Sequence, residues 1–79
     1  GAVTLEEMAL ACRELGLSER EREISLLVFQ GNGNAFICET ACITESTLRT
    51  HLRNIYSKTG THSREELISL LENRVQALC

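Results

Sequence analysis

The sequence predicts an all-α fold, a small helical bundle that contains a helix-turn-helix. Its apolar residues recur with the period of a helix, and no segment alternates with the period of a strand. The 79 residues include no proline to interrupt a helix. At three places a serine or threonine precedes a glutamate by three residues, a pair that satisfies free backbone amides at a helix start. These pairs are Thr4 with Glu7, Ser18 with Glu21, and Ser63 with Glu66.

The first pair predicts a helix over residues 5–15 that ends at Gly16. The apolar face of this helix carries Leu5, Met8, Ala9 and Cys12. We therefore expect the helix to pack against the rest of the chain. Residues 1–16 are interpreted as an N-terminal helix or as a linker to a missing sensor part, and residues 17–79 as the main domain.

The second pair predicts a helix over residues 19–30 that ends at Gly31. Its positions expected in the core are Ile24, Leu27 and Val28. The same helix carries Glu21 and Glu23, which we interpret as structural partners of nearby arginines rather than as catalytic carboxylates. No nucleophile, base and orienting group can be assembled around them.

A loop of glycine and asparagine over residues 31–34 leads to a short helix over residues 35–41. A tight corner at Cys42 and Ile43 follows, and Thr44 is expected to cap the next, longer helix. The order of short helix, corner and longer helix is that of a helix-turn-helix unit.

The longer helix ends at Gly60 and separates apolar from cationic side chains. Its apolar face holds Leu48, Leu52, Ile55 and Tyr56. Its opposite face holds Ser46, Arg49, Thr50, Arg53 and Ser57. A merely solvated helix would mix acids and bases one turn apart, whereas the only acid between residues 44 and 60 is Glu45 in the first turn. The pattern is typical of a helix that enters the major groove of DNA, where arginine contacts guanine.

The net charge of −3 counts against nucleic-acid binding, which depends on neutralising phosphates. The charge is unevenly distributed, because residues 44–60 hold Arg49, Arg53 and Lys58 against Glu45, a balance of +2. A local patch of this kind is what positions DNA. A chain of this length has little material for a catalytic cleft beside its core, so we expect no enzymatic activity.

The last helix is predicted over residues 64–75. Its apolar residues are Leu67, Ile68, Leu70, Leu71, Val75 and Leu78. This stripe is broader than one core contact needs, so part of it is expected to contact a second copy of the chain, and a dimer would bind two DNA half-sites. The alternative is a frayed tail.

Four cysteines occur without CxxC spacing: Cys12, Cys38, Cys42 and Cys79. With no signal peptide and no long apolar run, they are interpreted as reduced thiols of a cytoplasmic domain that needs no cofactor. Attachment of the full-length protein to a membrane is left open as an alternative. Cys38 and Cys42 lie one turn apart, and a metal site completed by His51 or His62 is an alternative. Zinc ligands usually pair across a short knuckle, and free cysteine is commonly a buried apolar residue, so we favour no metal.

Several blocks of the sequence stand at a characteristic spacing. They are LSERERE over residues 17–23, the single residues Gly31, Asn34, Ile37 and Ile43, TLRTHLRNIYSKTG over residues 47–60, and HSREEL over residues 62–67. On these blocks, residues 17–71 resemble the LuxR/GerE-type DNA-binding domain of bacterial transcription regulators. The resemblance implies a four-helix domain whose third helix binds double-stranded DNA and whose fourth helix forms a homodimer contact. The helix before Gly16 is then an extra N-terminal element.

The resemblance and the faces of the helices together give candidate contact residues. Those expected to contact DNA bases are Arg49, Thr50 and Arg53. Those expected to contact the DNA backbone are Ser46, Thr47, Lys58 and Asn34. Those expected at the dimer interface are Leu67, Leu70, Leu71 and Val75. The chain departs from the family at Ala35 and Phe36, where lysine and glutamate are usual, and one phosphate contact is thereby missing.

An alternative function is that of a degenerate helix-turn-helix that acts only as a protein interaction or dimerisation module. The net negative charge, Ala35 and the cysteines favour it, and oxidation of Cys79 would link two chains. Salt distinguishes the two functions, because DNA binding weakens as salt rises and an interaction module binds no DNA at any salt.

Overall fold

The computed structural model describes residues 4–77, and this part of the chain contains five α-helices and no strand. The helices are α1 (Leu5–Glu14), α2 (Glu19–Phe29), α3 (Asn34–Ala41), α4 (Glu45–Thr59) and α5 (Arg64–Ala77). The predicted all-α class is confirmed. Both ends of every helix lie within two residues of the predicted ends. Leu78 and Cys79, which were assigned roles above, lie outside the described residues.

The predicted capping pairs start α1 and α2. The Thr4 hydroxyl accepts a hydrogen bond from the Glu7 amide at 3.1 Å, and the Glu7 carboxylate accepts one from the Thr4 amide at 3.1 Å. Likewise, the Ser18 hydroxyl accepts from the Glu21 amide at 3.2 Å, and the Glu21 carboxylate accepts from the Ser18 amide at 2.8 Å. Both boxes therefore satisfy amides that the first helical turn leaves free.

The third pair, at the start of α5, forms only one of its two predicted hydrogen bonds. The Ser63 hydroxyl accepts from the Glu66 amide at 3.2 Å, but the Glu66 carboxylate accepts from the His62 amide at 3.0 Å instead of from Ser63. The same carboxylate oxygen lies 3.3 Å from His62 Nδ1. The Glu66 carboxylate therefore contacts both the backbone amide and the side chain of His62, the residue before Ser63.

The start of α3 also differs from the prediction, because Asn34 is its first residue and not part of the preceding loop. Gly33 is the N-cap, with an extended backbone and no side chain to cap the helix. Because the N-cap is a glycine, the sequence has no hydroxyl and carboxylate pair that marks where α3 starts. The predicted start of α3 was therefore one residue too late.

The core lies around α2, which packs against each of the other four helices. As predicted, Ile24, Leu27 and Val28 are buried there. The largest fully buried side chains from the other helices include Met8, Ile37, Leu48, Ile55, Leu67 and Leu71. The Ser25 hydroxyl is also fully buried and has no hydrogen-bond partner among the described residues. None of the described helices is long and apolar enough to cross a membrane.

The N-terminal helix packs on the domain as expected, but through a different face. α1 contacts α2 and α5 and buries Met8, Ala11 and Cys12. Leu5 is 64% exposed and Ala9 is exposed, so the predicted face is wrong at these two positions. The helix is rotated toward Ala11 because it fits between two neighbouring helices and not against a single one.

Candidate nucleic-acid interface

The outward face of α4 is polar and cationic, as its sequence predicts. Leu48, Leu52 and Ile55 are buried beneath the helix, and the partly buried Tyr56 packs beside them. The opposite side chains are all exposed: Ser46, Arg49, Thr50, Arg53 and Ser57. The predicted separation of faces is therefore confirmed, and nothing in the described chain covers the outer one.

The two arginines of this face have no acidic partner in the described part of the chain. Neither Arg49 nor Arg53 forms an ion pair with any of residues 4–77. They lie one helical turn apart, with Thr50 between them, so their guanidinium groups project from one side of α4. Unpaired guanidinium groups on an exposed helix are free to bind a planar, bidentate acceptor such as a guanine edge or a phosphate.

The hydroxyl groups at the start of α4 have defined partners. Thr44 is the N-cap, and its hydroxyl accepts from the Thr47 amide at 3.2 Å and donates to the Thr47 hydroxyl at 3.0 Å. Thr50 donates its hydroxyl hydrogen to the carbonyl of Ser46 at 3.2 Å. Thr50 therefore presents a methyl group and oxygen lone pairs outward, whereas the Thr47 hydroxyl hydrogen remains available to an acceptor such as phosphate.

The corner between α3 and α4 sets the direction of α4. Cys42 ends α3 in the left-handed backbone conformation, with φ of 58° and ψ of 47°. The amide of Cys42 donates to the Glu39 carbonyl at 3.4 Å, and the amide of Ile43 donates to the Cys38 carbonyl at 3.0 Å. These bonds close the last turn of α3, and three residues separate its end from the start of α4.

Arg64 joins the start of α5 to the start of α3. It donates to the Asn32 carbonyl at 3.0 Å and also to the side-chain oxygen of Asn34. Asn34 is exposed, as a backbone contact requires, and its amide NH₂ group remains able to donate. Sequence reasoning missed Arg64, because its partners lie about thirty residues earlier and no local pattern links them.

Lys58 has a partner within the protein. Its Nζ atom lies 2.6 Å from Oε1 of Glu21. The Lys58 side chain is 43% exposed, but that of Glu21 is only 6% exposed. Glu21 was expected to pair with an arginine, and this expectation is wrong, whereas Glu23 does pair with Arg20 at 3.2 Å.

The pair fixes the protonation state of Glu21. Burial by itself raises the pKa of this carboxyl group, but the hydrogen bonds from Lys58 and Ser18 outweigh it and bring the pKa below its ordinary value of 4.5. Glu21 thus carries a negative charge at neutral pH and holds the Lys58 ammonium at the N-terminal end of α2. Lys58 is a weaker candidate for a phosphate contact than the sequence indicates.

Most of the residues expected at a dimer interface are buried in the core of the protein. Leu67, Leu71 and Val75 are buried in the core, and only Leu70 of the predicted set is partly exposed. Leu70 lines a shallow groove between α5 and the end of α4, together with polar residues such as Thr61 and Asn73. Of the four residues predicted for this interface, Leu70 alone is available to a second copy, at this groove.

The described cysteines differ in environment. Cys12 is fully buried, and burial raises the pKa of its thiol to about 11. Cys38 is half-buried and Cys42 is exposed at the corner. No group of three or more potential ligands within residues 4–77 comes close enough together to hold a metal ion.

A short helix, a fixed corner and a longer helix with an exposed cationic face define a helix-turn-helix protein. The family model described as bacterial regulatory proteins, luxR family, matches residues 15–71. The chain belongs to this family. α1 lies ahead of the matched region, and α2 to α5 fall within it apart from the end of α5.

Curated relatives are transcriptional regulators. The chain is similar to the monoamine regulon transcriptional regulator of Klebsiella aerogenes, with 45% identity over 53 residues that cover 67% of this chain and 23% of the relative. It is also similar to the HTH-type transcriptional regulator MalT of Vibrio campbellii (strain ATCC BAA-1116), with 32% identity over 62 residues that cover 78% of this chain and 7% of the relative. The chain thus spans less than a quarter of the length of these relatives. No solved structure gives a significant match to it.

Proposed function

We propose that the chain binds double-stranded DNA in a sequence-specific manner, with α4 in the major groove. The observation that supports this most strongly is the exposed face of α4, where Arg49 and Arg53 have no acidic partner among the described residues. The major groove is wide enough for one α-helix, and arginine contacts to O6 and N7 of guanine are its commonest specific contacts. Membership of a family of bacterial regulatory proteins supports the same function.

The candidate contact residues have separate proposed roles. Arg49 and Arg53 contact base edges, and Thr50 contacts a thymine methyl group with its outward methyl. Ser46 and Thr47, in the first turn of α4, bind phosphate oxygens where the helix dipole also favours an anion. A further phosphate contact comes from the side-chain amide of Asn34. Lys58 is occupied mainly by its ion pair with Glu21.

The first experiment is selection of bound duplexes from a randomised DNA pool at moderate salt. We expect the wild type to enrich a defined motif and the Arg49→Ala, Arg53→Ala double variant to enrich none. A matched control, Arg20→Ala with Arg74→Ala, removes the same charge from exposed positions outside α4 and should retain the motif. Enrichment of one motif by both double variants would contradict the role of α4, and failure of the wild type to enrich any would contradict sequence-specific binding.

Single substitutions separate base contacts from general attraction. Arg49→Ala should weaken binding to the preferred duplex by about 1–3 kcal/mol and relax the preference at one base pair. Ser57→Arg, on the same exposed face, should strengthen binding to all duplexes alike because it adds charge without a defined base partner. The affinities of matched and single-mismatch duplexes, measured by fluorescence anisotropy, test this. An equal loss on every duplex for Arg49→Ala would remove Arg49 from the base contacts.

A second candidate function is that of a protein interaction module. It is favoured by Phe36, whose apolar side chain is 52% exposed on α3 at the position where the family usually has a glutamate. The net charge of −3 favours it as well. Salt decides between the two functions: DNA binding should weaken with salt by the release of counterions from about three to five phosphates per copy, whereas an interaction module binds no duplex even at low salt.

Two further expectations concern the longer protein and its assembly. The relatives are several times longer than this chain, and we propose that a sensor part accompanies the DNA-binding part in the full-length protein. A homodimer through α5 remains a prediction, and Leu70 is its only expected apolar contact that is not already buried.

A further inference from the structure

Arg64, the first residue of α5, connects this helix to α3 and also lies close to α4. Its guanidinium group donates to the backbone carbonyl of Asn32 at 3.0 Å and to the side-chain oxygen of Asn34, the first residue of α3. Burial raises the pKa of the Tyr56 hydroxyl on α4, and the nearby charge of Arg64 opposes this rise. The two acceptors lie 32 and 30 residues earlier in the chain, so the contact exists only in the folded protein.

The bond from Arg64 determines which way the side-chain amide of Asn34 points. A guanidinium group carries donors only, so it binds the oxygen of this amide and not its nitrogen. The NH₂ group of the exposed Asn34 is therefore directed away from Arg64, and it makes no hydrogen bond within residues 4–77. It is free to donate to an acceptor outside the chain.

Asn34 has the only side chain in the first turn of α3 that can donate a hydrogen bond. The residues after it are Ala35, Phe36 and Ile37, and α3 contains no lysine or arginine. In a helix-turn-helix, the first helix crosses the DNA backbone while the second enters the major groove. A phosphate contact from the first turn of α3 through a side chain therefore depends on the orientation of this one amide.

We propose that Arg64 is a positioning residue for DNA binding, which holds the Asn34 amide so that it donates to a phosphate oxygen and does not itself contact the DNA. The inference rests on the proposed binding of α4 in the major groove. A side chain that is ordered in advance loses less conformational entropy on binding. Because a phosphate contact carries no sequence information, this one adds affinity for every duplex and leaves the preferred motif unchanged.

A double-mutant cycle tests the role of Arg64. Asn34→Ala should weaken binding by about three- to tenfold on matched and mismatched duplexes alike. Arg64→Met keeps an aliphatic stem and removes the donors, and it should weaken binding by no more than Asn34→Ala does. The variant that carries both substitutions should bind like Asn34→Ala alone, because Arg64 then has no amide to orient. Fluorescence anisotropy at several salt concentrations measures these affinities.

The salt dependence separates positioning from direct attraction. Removing a side chain that neutralises a phosphate lowers the salt slope by about one, so Arg64→Met should leave the slope unchanged. Arg74→Met removes the same charge from an exposed position of α5 and is the matched control, which should bind like the wild type. A lower slope for Arg64→Met, or the same loss from Arg64→Met in the wild type and in Asn34→Ala, would overturn the proposal.

NMR relaxation of the free protein gives a readout that needs no DNA. The order parameter of the Asn34 side-chain amide should be close to that of the α3 backbone in the wild type and much lower in Arg64→Met. A mobile amide in the wild type would contradict the proposal even if Arg64→Met failed to fold, which circular dichroism checks. A wild type that binds no duplex would refute the proposed function and this inference with it, whereas independent losses from the two substitutions in a wild type that does bind would refute only the role of Arg64.

Discussion

At the scale of single residues, the corner before α4 depends on a cysteine in an unfavourable backbone conformation. Cys42 is exposed and has a φ of 58°, the only positive φ of a non-glycine residue within residues 4–77. This conformation costs a residue with a Cβ atom about 1–2 kcal/mol, whereas glycine adopts it freely but loses more freedom on folding. We predict that Cys42→Gly raises the free energy of unfolding by up to about 1 kcal/mol, measured by urea denaturation.

The same substitution one turn earlier is the control. Cys38 lies inside α3 and is partly buried against the core, and glycine is a poorer helix former than cysteine, so Cys38→Gly should lower the free energy of unfolding. Opposite signs at the two positions would show that the left-handed backbone of Cys42 decides the effect. Destabilisation by both would show that the corner tolerates Cys42 without cost.

At the scale of helices, the ion pair between α2 and α4 makes the joint between them sensitive to acid. The pKa of Glu21 is lower in the folded protein than its ordinary value of 4.5. The stability from its ionised form is therefore fully present above that value and is lost as the pH falls through the folded pKa. We predict that Glu21→Gln lowers stability by about 1–3 kcal/mol at neutral pH and removes this part of the acid sensitivity. Thermal unfolding between neutral and strongly acidic pH measures both effects.

Glu23→Gln is the matched control on the same helix. Glu23 pairs with Arg20, but both side chains are more than 40% exposed, and such a surface pair contributes about 0–1 kcal/mol. The control should therefore remain close to the wild type at neutral pH and keep the acid sensitivity from Glu21. Equal losses for the two variants would mean that burial of Glu21 adds nothing to its pair with Lys58.

The helices also show which interactions a sequence reveals. The caps at Thr4 and Ser18 were predicted because both partners of each cap lie three residues apart. The bond from Lys58 to Glu21 crosses 37 residues, and neither residue carries a local sign of the other. The cationic face of α4 was predicted because helical periodicity alone assigns it, whereas the partners that occupy Lys58 and Asn34 depend on how the helices pack.

At the scale of the whole molecule, much of the apolar stripe predicted on α5 packs within the chain. α5 packs against both α1 and α2, and two neighbours inside one chain use a broader stripe than a single neighbour does. Leu67, Leu71 and Val75 are buried in this way. Periodicity gives the width of an apolar face, but it cannot tell whether a second helix of the same chain or a second copy covers it.

The same packing predicts that α1 unfolds together with the rest of the protein and not as a separate linker. Its Cys12 lies in the same core as residues of α2 and α5, and burial raises the pKa of its thiol to about 11. At pH 8 only about one part in a thousand of such a thiol is ionised, so it should resist alkylation while the fold is intact. In a Cys79→Ser background, we expect iodoacetamide to modify the exposed Cys42 first and Cys12 only on global unfolding.

Mass spectrometry of the alkylated protein across a urea series measures this order, with the helical circular dichroism followed in parallel. Modification of Cys12 should rise with the same midpoint as the loss of helix, because both then report one cooperative transition. Met8→Ala is an informative variant: removing a fully buried side chain of α1 should shift both midpoints together, at a cost of about 2–5 kcal/mol. Modification of Cys12 at a urea concentration where the other helices remain folded would instead identify α1 as a detachable segment, and it would place the boundary of the cooperative unit near Gly16, where the sequence suggested it.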